Sequence, residues 1–413
     1  MKILGALTLL AAAIFLALPT DSDAIPAFAR KYGFNCNMCH TAFVKLNDFG
    51  QRFRDNGYQI PGQVGGEMNV FEGRVPPLAV RTLGGWSLKS SETRGHNTST
   101  NSFDVFGLDL LAAGVLHRNV SFLLVYKPRI DEPAATSAGT GDGSNPSQIA
   151  TLESVNLVFS NIIPDLLNLR AGRFEPGYHE ISSLRSYYIL QPYEIYQFLS
   201  PEVNFSFGDT QLGIEATGHS KCGCKYALGV VNGSGGNPDN NKFKDLYLDL
   251  SKTLMAGTGQ SAGQRIGAFG YFGWENVSPI NSAETKPFYR FGGDISLNWK
   301  TLNLQAFFLQ GIDSKELNPL VDEEYKYSGG FVELDWAALC DNRIVASLLY
   351  NWVTPPDADQ ESQVKAYSGL VRYYMGDWTA VNVALHAEFT HREFGKEIET
   401  KGDEFALALD FDF

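Results

Sequence analysis

The sequence predicts an all-β protein: a 16-stranded antiparallel barrel that crosses a membrane, joined to a short N-terminal helical segment that plugs the barrel lumen. Three observations predict it. Apolar and polar residues alternate in segments of roughly ten residues, the pattern of a barrel wall with lipid outside and a polar interior. The connections between those segments alternate long and short. The chain opens with an export signal, and no later apolar run approaches the roughly 20 residues of a membrane helix.

Met1 and Lys2 are followed by the apolar run ILGALTLLAAAIFLAL. Pro19 ends the run, and Ser22-Asp23-Ala24 supplies small residues where a signal peptidase reads. Residues 1–24 therefore read as a secretory signal peptide, and cleavage after Ala24 would leave IPAFARKYGF as the mature N-terminus.

Composition agrees with an envelope β-protein. Phe, Tyr and Trp make up 13% of the 413 residues, and there are 41 glycines. The net charge of −13 makes nucleic acid a poor partner. Five cysteines are too few for a disulfide scaffold once two have another use.

Residues 25–76 form the second unit, and their chemistry is concentrated in YGFNCNMCHTAF. Cys36, Cys39 and His40 stand at C-x-x-C-H spacing, the attachment pattern of a c-type haem. Cys36 and Cys39 would form thioethers to one covalent haem c, and His40 would be the proximal ligand to its iron. A zinc site would need two further ligands nearby, and the surrounding sequence has none. Phe43, Leu46, Phe49 and Phe53 are spaced as one face of a short helix that would cover the haem edge. At about 50 residues the segment is short to bury a core of its own, so it needs the barrel to complete its shell. The distal ligand is unknown. Met68 and His386 are the candidates, while Met38 lies inside the attachment loop and His96, His117, His179, His219 and His391 fall at strand ends or in loops.

Residues 77–413 form the barrel. In EFALALDFDF, Phe405, Leu407, Leu409, Phe411 and Phe413 share one face, and Glu404, Ala406, Ala408, Asp410 and Asp412 the other. Strands are expected near 78–90, 103–114, 118–127, 151–160, 167–174, 211–219, 225–232, 244–253, 264–275, 288–299, 302–312, 327–340, 343–353, 365–375, 378–391 and 403–413. The long connections include SETRGHNTSTNS, PRIDEPAATSAGTGDGSNPSQIA and residues 175–210; the short ones include KT at 300–301, DN at 341–342 and GD at 376–377. An even strand count puts both barrel ends and the short turns on the periplasmic side. Inward positions read as polar or small. Asp109, Glu215, Asp245, Asp249, Asp294, Glu333, Asp335, Glu388, Glu404, Asp410 and Asp412 outnumber Arg81, Arg170, Arg265, Arg290, Arg343 and Arg372, a net-acidic lumen that would favour cations. The aromatic stretch YHEISSLRSYYILQPYEIYQF is too long for a simple exposed loop and is expected to fold inward. Cys222 and Cys224 in SKCGCK read as a small strained disulfide, with Cys340 left over.

The run IPAFARKYGFNCNMCHTAFVKLNDFGQRFRDNGYQ, followed by such a barrel, resembles the fused monohaem cytochrome–porins, known as the outer-membrane iron oxidases of iron-oxidising bacteria. The resemblance is specific over Pro26 to Tyr58 and architectural over the barrel. It implies an outer-membrane protein that takes electrons from extracellular Fe(II), or another redox metal, and passes them to a periplasmic c-type cytochrome or similar carrier. It carries Cys36 and Cys39 over as haem attachment and His40 as axial ligand, with no catalytic residue beyond them. Two alternatives stay open. One is a porin for small solutes or cations with the haem segment as plug or sensor. The other is outward electron transfer to extracellular metal.

Overall fold

The computed structural model describes residues 28, 32–42, 44–60, 78–128, 151–190, 192–235, 239, 241–255, 263–277, 284–339, 343–375, 382–395 and 400–412. The signal peptide, Phe43, Met68, the loop 129–150, the turns at 341–342 and 376–377, Cys340, Phe413 and the Cys36 side chain lie outside the described residues.

The N-terminal segment holds a 3-10 turn at Cys36–Met38, a two-stranded ribbon of β1 (His40–Ala42) and β2 (Lys45–Leu46), and helix α1 (Asp48–Asp55). The expected apolar stripe is thus divided, with Leu46 on β2 and only Phe49 and Phe53 on α1. Asn47 sets the boundary. Its extended backbone and its side chain, which accepts from the Gly50 N–H at 2.9 Å, make it the N-cap that starts the helix there.

The barrel strands are β3 (Leu78–Thr93), β4 (His96–His117), β5 (Val120–Lys127), β6 (Thr151–Ile163), β7 (Leu167–Phe174), β8 (Gln211–His219), β9 (Cys224–Val231), β10 (Asp245–Thr253), β11 (Arg265–Asn276), β12 (Thr285–Trp299), β13 (Leu302–Asp313), β14 (Tyr325–Leu339), β15 (Ile344–Thr354), β16 (Val364–Tyr374), β17 (Asn382–Phe394) and β18 (Thr400–Asp412). Each pairs antiparallel with its sequence neighbours, and β18 pairs with β3 from Asp412↔Arg81 to Thr400↔Thr93, closing the barrel. Closure leaves no edge, the condition for carrying strands through lipid. The sixteen expected segments correspond to these strands one for one.

Alternation sets the two faces as expected. On β10, Leu250 is 53% exposed on the outside and Asp249 is 0% exposed on the inside. Two expectations are corrected. The stretch SETRGHNTSTNS is not a long loop. The strands β3 and β4 run on through it and meet in a two-residue turn at Arg94-Gly95, where both residues have positive φ, as a tight hairpin requires. The inner wall is also not uniformly polar or small. Phe269 and Tyr271 on β11, Phe288 on β12, Phe307 on β13 and Tyr327 and Phe331 on β14 are buried inside. The reason is the segment 175–210, which folds into the lumen and brings Tyr178, Tyr193, Tyr196, Phe205 and Phe207 against that wall. Tyr193 stacks on Phe331 with ring centroids 3.9 Å apart, and Phe205 lies 4.2 Å from Tyr271. Burying rings of this size contributes roughly 1.5–3 kcal/mol each. Polar ties orient the segment, which includes helix α2 (Glu194–Gln197). Tyr193 Oη donates to Glu333 at 2.6 Å, Ile189 N–H donates to Glu388 at 2.7 Å, and Arg392 donates to Glu194 at 2.7 Å.

The start of β3, the end of β18 and the turns at Arg118-Asn119, 164–166, 220–223 and Lys300-Thr301 lie at one end; Arg94-Gly95 lies at the other. In a protein lacking Cys222 and Cys224, Arg94→Cys is expected to react with an impermeant thiol reagent on intact cells, and Lys300→Cys only after the outer membrane is permeabilised. The reverse labelling would invert the barrel.

Candidate functional site

The C-x-x-C-H segment is held within the barrel. Asn47 builds its local shape: its Nδ2 donates to the carbonyls of Asn37 at 3.3 Å and Met38 at 3.1 Å, and its backbone N–H donates to the Cys39 carbonyl at 2.9 Å. One side chain therefore both starts α1 and closes the turn between the cysteines. The sequence reading missed it, although an Asn before the polar first turn of DFGQ was a visible N-cap signal. Gly50 lets α1 lie directly on that turn, because a Cβ there would run into the Cys39 carbonyl oxygen. Phe28, Tyr32, Phe34, Phe49, Phe53 and Tyr58 pack as a ring cluster, with Phe28 stacked on Tyr58 at 4.5 Å and Phe53 edge-on to Phe28 at 5.3 Å.

Ionic and polar ties fasten this segment to separate parts of the wall. Lys45 Nζ donates to Glu333 at 2.7 Å and to Asp335 at 2.5 Å on β14. Asp55 pairs with His219 at 3.0 Å and Lys225 at 3.2 Å, on β8 and β9. Gln59 Nε2 donates to the Arg118 carbonyl at 3.0 Å and to Ser160 Oγ at 3.1 Å. Gly57, with φ +65°, brings the chain so close to Ser121 that a Cβ would sit 2.5 Å from its Oγ. This explains the Asn-Gly-Tyr sequence. Arg54 reaches Glu175 on the inward segment at 3.2 Å. Burial raises the Glu175 carboxyl, but Arg185 and Arg54 outweigh it and hold the group down at about 2.

A cavity of about 300 Å³ opens beside Cys39 and His40. That is within the range of small-molecule and cofactor pockets. Its walls are mostly apolar: Phe34, Leu46 and Phe53 from the N-terminal segment, Leu111, Leu123 and Val125 from β4 and β5. Five cations line it, Arg54, Arg81, Lys127, Arg170 and Arg185, together with four carboxylates, Asp109, Glu153, Glu175 and Asp412, and each of the cations pairs with a carboxylate. The apolar walls suit a flat macrocycle, while its two carboxylates would have to share cations that already pair with the protein's own acids. Desolvation lowers the His40 imidazole to about 4, so its neutral, lone-pair-bearing form prevails near neutral pH. The Cys39 thiol is pushed up to about 11 by burial, so it stays protonated there. The residues present therefore fit a c-type haem.

His40 is the only His or Met on the cavity wall among the described residues. His386 does not reach it. Its imidazole is buried and pairs with Glu388 at 3.0 Å, so the structure gives no support to His386 as distal ligand. Several of the carboxylates read for the lumen are paired: Asp410 with Arg81 at 2.8 Å and Arg372 at 2.6 Å, Glu215 with Arg170, and Asp294 with Arg265; Asp313, not among those read, pairs with Arg290 at 2.5 Å. Among the described residues no group of three or more His, Cys, Asp and Glu is arranged to hold a metal ion. Cys222 and Cys224 are thiols with Sγ atoms 3.6 Å apart, in place of the expected disulfide.

No protein-family model matches the chain, and no curated protein does. Solved structures do. The anion-selective porin from Comamonas acidovorans superposes with a TM-score of 0.54 at 10% identity, covering 81% of this chain and 99% of that one. A loop-deletion mutant of OmpT, an outer membrane protein of Vibrio cholerae, gives a TM-score of 0.50 at 11% identity, covering 81% and 99%. At these identities the likeness is one of fold. The chain is a closed barrel of the outer-membrane type.

Proposed function

We propose that the protein is a single-haem electron conduit of the outer membrane, oxidising extracellular Fe(II) to Fe(III) and passing each electron to a periplasmic carrier such as a c-type cytochrome. The observation that carries this reading is the cavity at Cys39 and His40, inside a barrel, with mostly apolar walls. Cys36 and Cys39 would hold the haem covalently, and His40 would offer its ring nitrogen to the iron. Haem bound there supplies a one-electron iron couple. The chain's own residues do the rest. Phe34, Leu46, Phe53 and Leu123 would exclude water from the cavity. The lumen carboxylates that pair with Arg or Lys attract a cation only modestly, and that attraction falls with salt.

The fold likeness to an anion-selective porin favours a second reading: passage of small solutes, with the N-terminal segment as plug or sensor. Outward electron delivery is the third. Purified protein mixed with Fe(II) in a stopped-flow spectrometer distinguishes them. Electron transfer predicts fast reduction of a covalently bound haem and its complete loss in His40→Ala, with the heat-modifiable mobility of the barrel kept. Reduction by a strong reductant but not by Fe(II) would favour outward delivery. No haem stain, together with steady conductance in planar bilayers, would establish the porin reading instead.

A further inference from the structure

The turn between β8 and β9 carries two thiols that electron transfer leaves unused. Cys222 and Cys224 flank Gly223, and both are exposed. Ser220 builds the turn: its Oγ lies 3.0 Å from Cys222 Sγ and accepts from the Cys224 N–H at 3.0 Å. Lys252 Nζ stands 3.6 Å from Cys224 Sγ and also donates to the Cys222 carbonyl. The Ser220 and Cys224 hydrogen bonds hold the Cys222 thiol down at about 6. An exposed thiolate supported by donors is the attacking form in thiol–disulfide exchange. The site is also rigidly mounted. His219 and Lys225, on either side of the turn, both grip Asp55 of α1.

We propose that Cys222 and Cys224 form a thiol–disulfide exchange site that reduces a disulfide presented at this end of the barrel. The Cys222 thiolate attacks one sulfur of the incoming disulfide. A mixed disulfide forms, and one partner thiolate leaves and takes a proton from water. Cys224 then gives up its proton and attacks Cys222 Sγ, which closes the Cys222–Cys224 bond and releases the second partner sulfur as a thiol. Two electrons pass from the pair to the partner, and no other oxidant takes part. Closure shortens the present 3.6 Å separation to about 2.0 Å, a movement confined to one turn. An incoming dithiol runs the steps backwards. The site is independent of the haem reading.

The test uses the full chain with Cys340→Ser, equilibrated with glutathione and glutathione disulfide at graded ratios. The mixture is quenched with a maleimide, and the peptide bearing residues 222–224 is weighed. The expected result is a reversible change from two labels to none within the accessible ratios. In the same background, Cys224→Ser should accumulate glutathione on Cys222, and Lys252→Met should slow that adduct several-fold. Two labels at every ratio, or none even in excess dithiothreitol, would overturn the proposal.

Discussion

Lys45→Met is expected to loosen the N-terminal segment from the β14 wall and to leave the barrel closed. Lys45 is the cation bridging Glu333 and Asp335, which are 0% and 4% exposed. Removing one partner of a buried pair leaves uncompensated charge and costs about 3–5 kcal/mol. The strands keep their own ladder, so the loss falls on docking. Limited proteolysis and hydrogen exchange should show protection lost over residues 32–60, while heat-modifiable mobility is unchanged. The triple variant Lys45→Met, Glu333→Gln, Asp335→Asn should recover most of the protection, because no charge is left stranded. Full protection in the single variant would mean that this bridge does not hold the segment.

Gly50→Ala should destabilise the same segment, against the usual sign. In an unconstrained helix alanine is better than glycine by about 0.8–1.0 kcal/mol. Here the added methyl meets the Cys39 backbone oxygen and the Leu46 side chain, and the backbone atom cannot swing away. Overpacking of this kind costs roughly 1–3 kcal/mol. The helix must lift off the turn that carries Cys39 and His40, so protection of α1 should fall, and with it, under the proposed haem attachment, the covalent haem per protein on a stained denaturing gel. A more protected segment with full haem content would show that α1 does not rest on that turn.

Alternation of apolar and polar residues was enough to specify the barrel. Strict alternation over sixteen segments is a local property, because each residue's face follows from its neighbours' polarity and the two-residue period of a strand. The bounds of β7 and β8 follow directly from it. The C-x-x-C-H spacing is equally local, and it named Cys36, Cys39 and His40 as candidates. Boundaries failed where local polarity misleads. The Ser- and Thr-rich stretch before and after Arg94 looks like a loop, yet it continues two strands, because a hairpin reaching beyond the membrane has no lipid to select apolar residues. The aromatic stretch after Phe174 folds inward as its length and composition led one to expect, but tertiary structure decided which wall it packs against. The aromatic wall of β11–β14 exists because residues 175–210 fold against it, a contact no local pattern contains. Tertiary structure also decided which charges meet: Lys45 lies 288 residues from Glu333, and Asp55 lies 164 from His219. Ion pairs and close backbone approaches join residues far apart in the chain, so they depend on the closed barrel being in place.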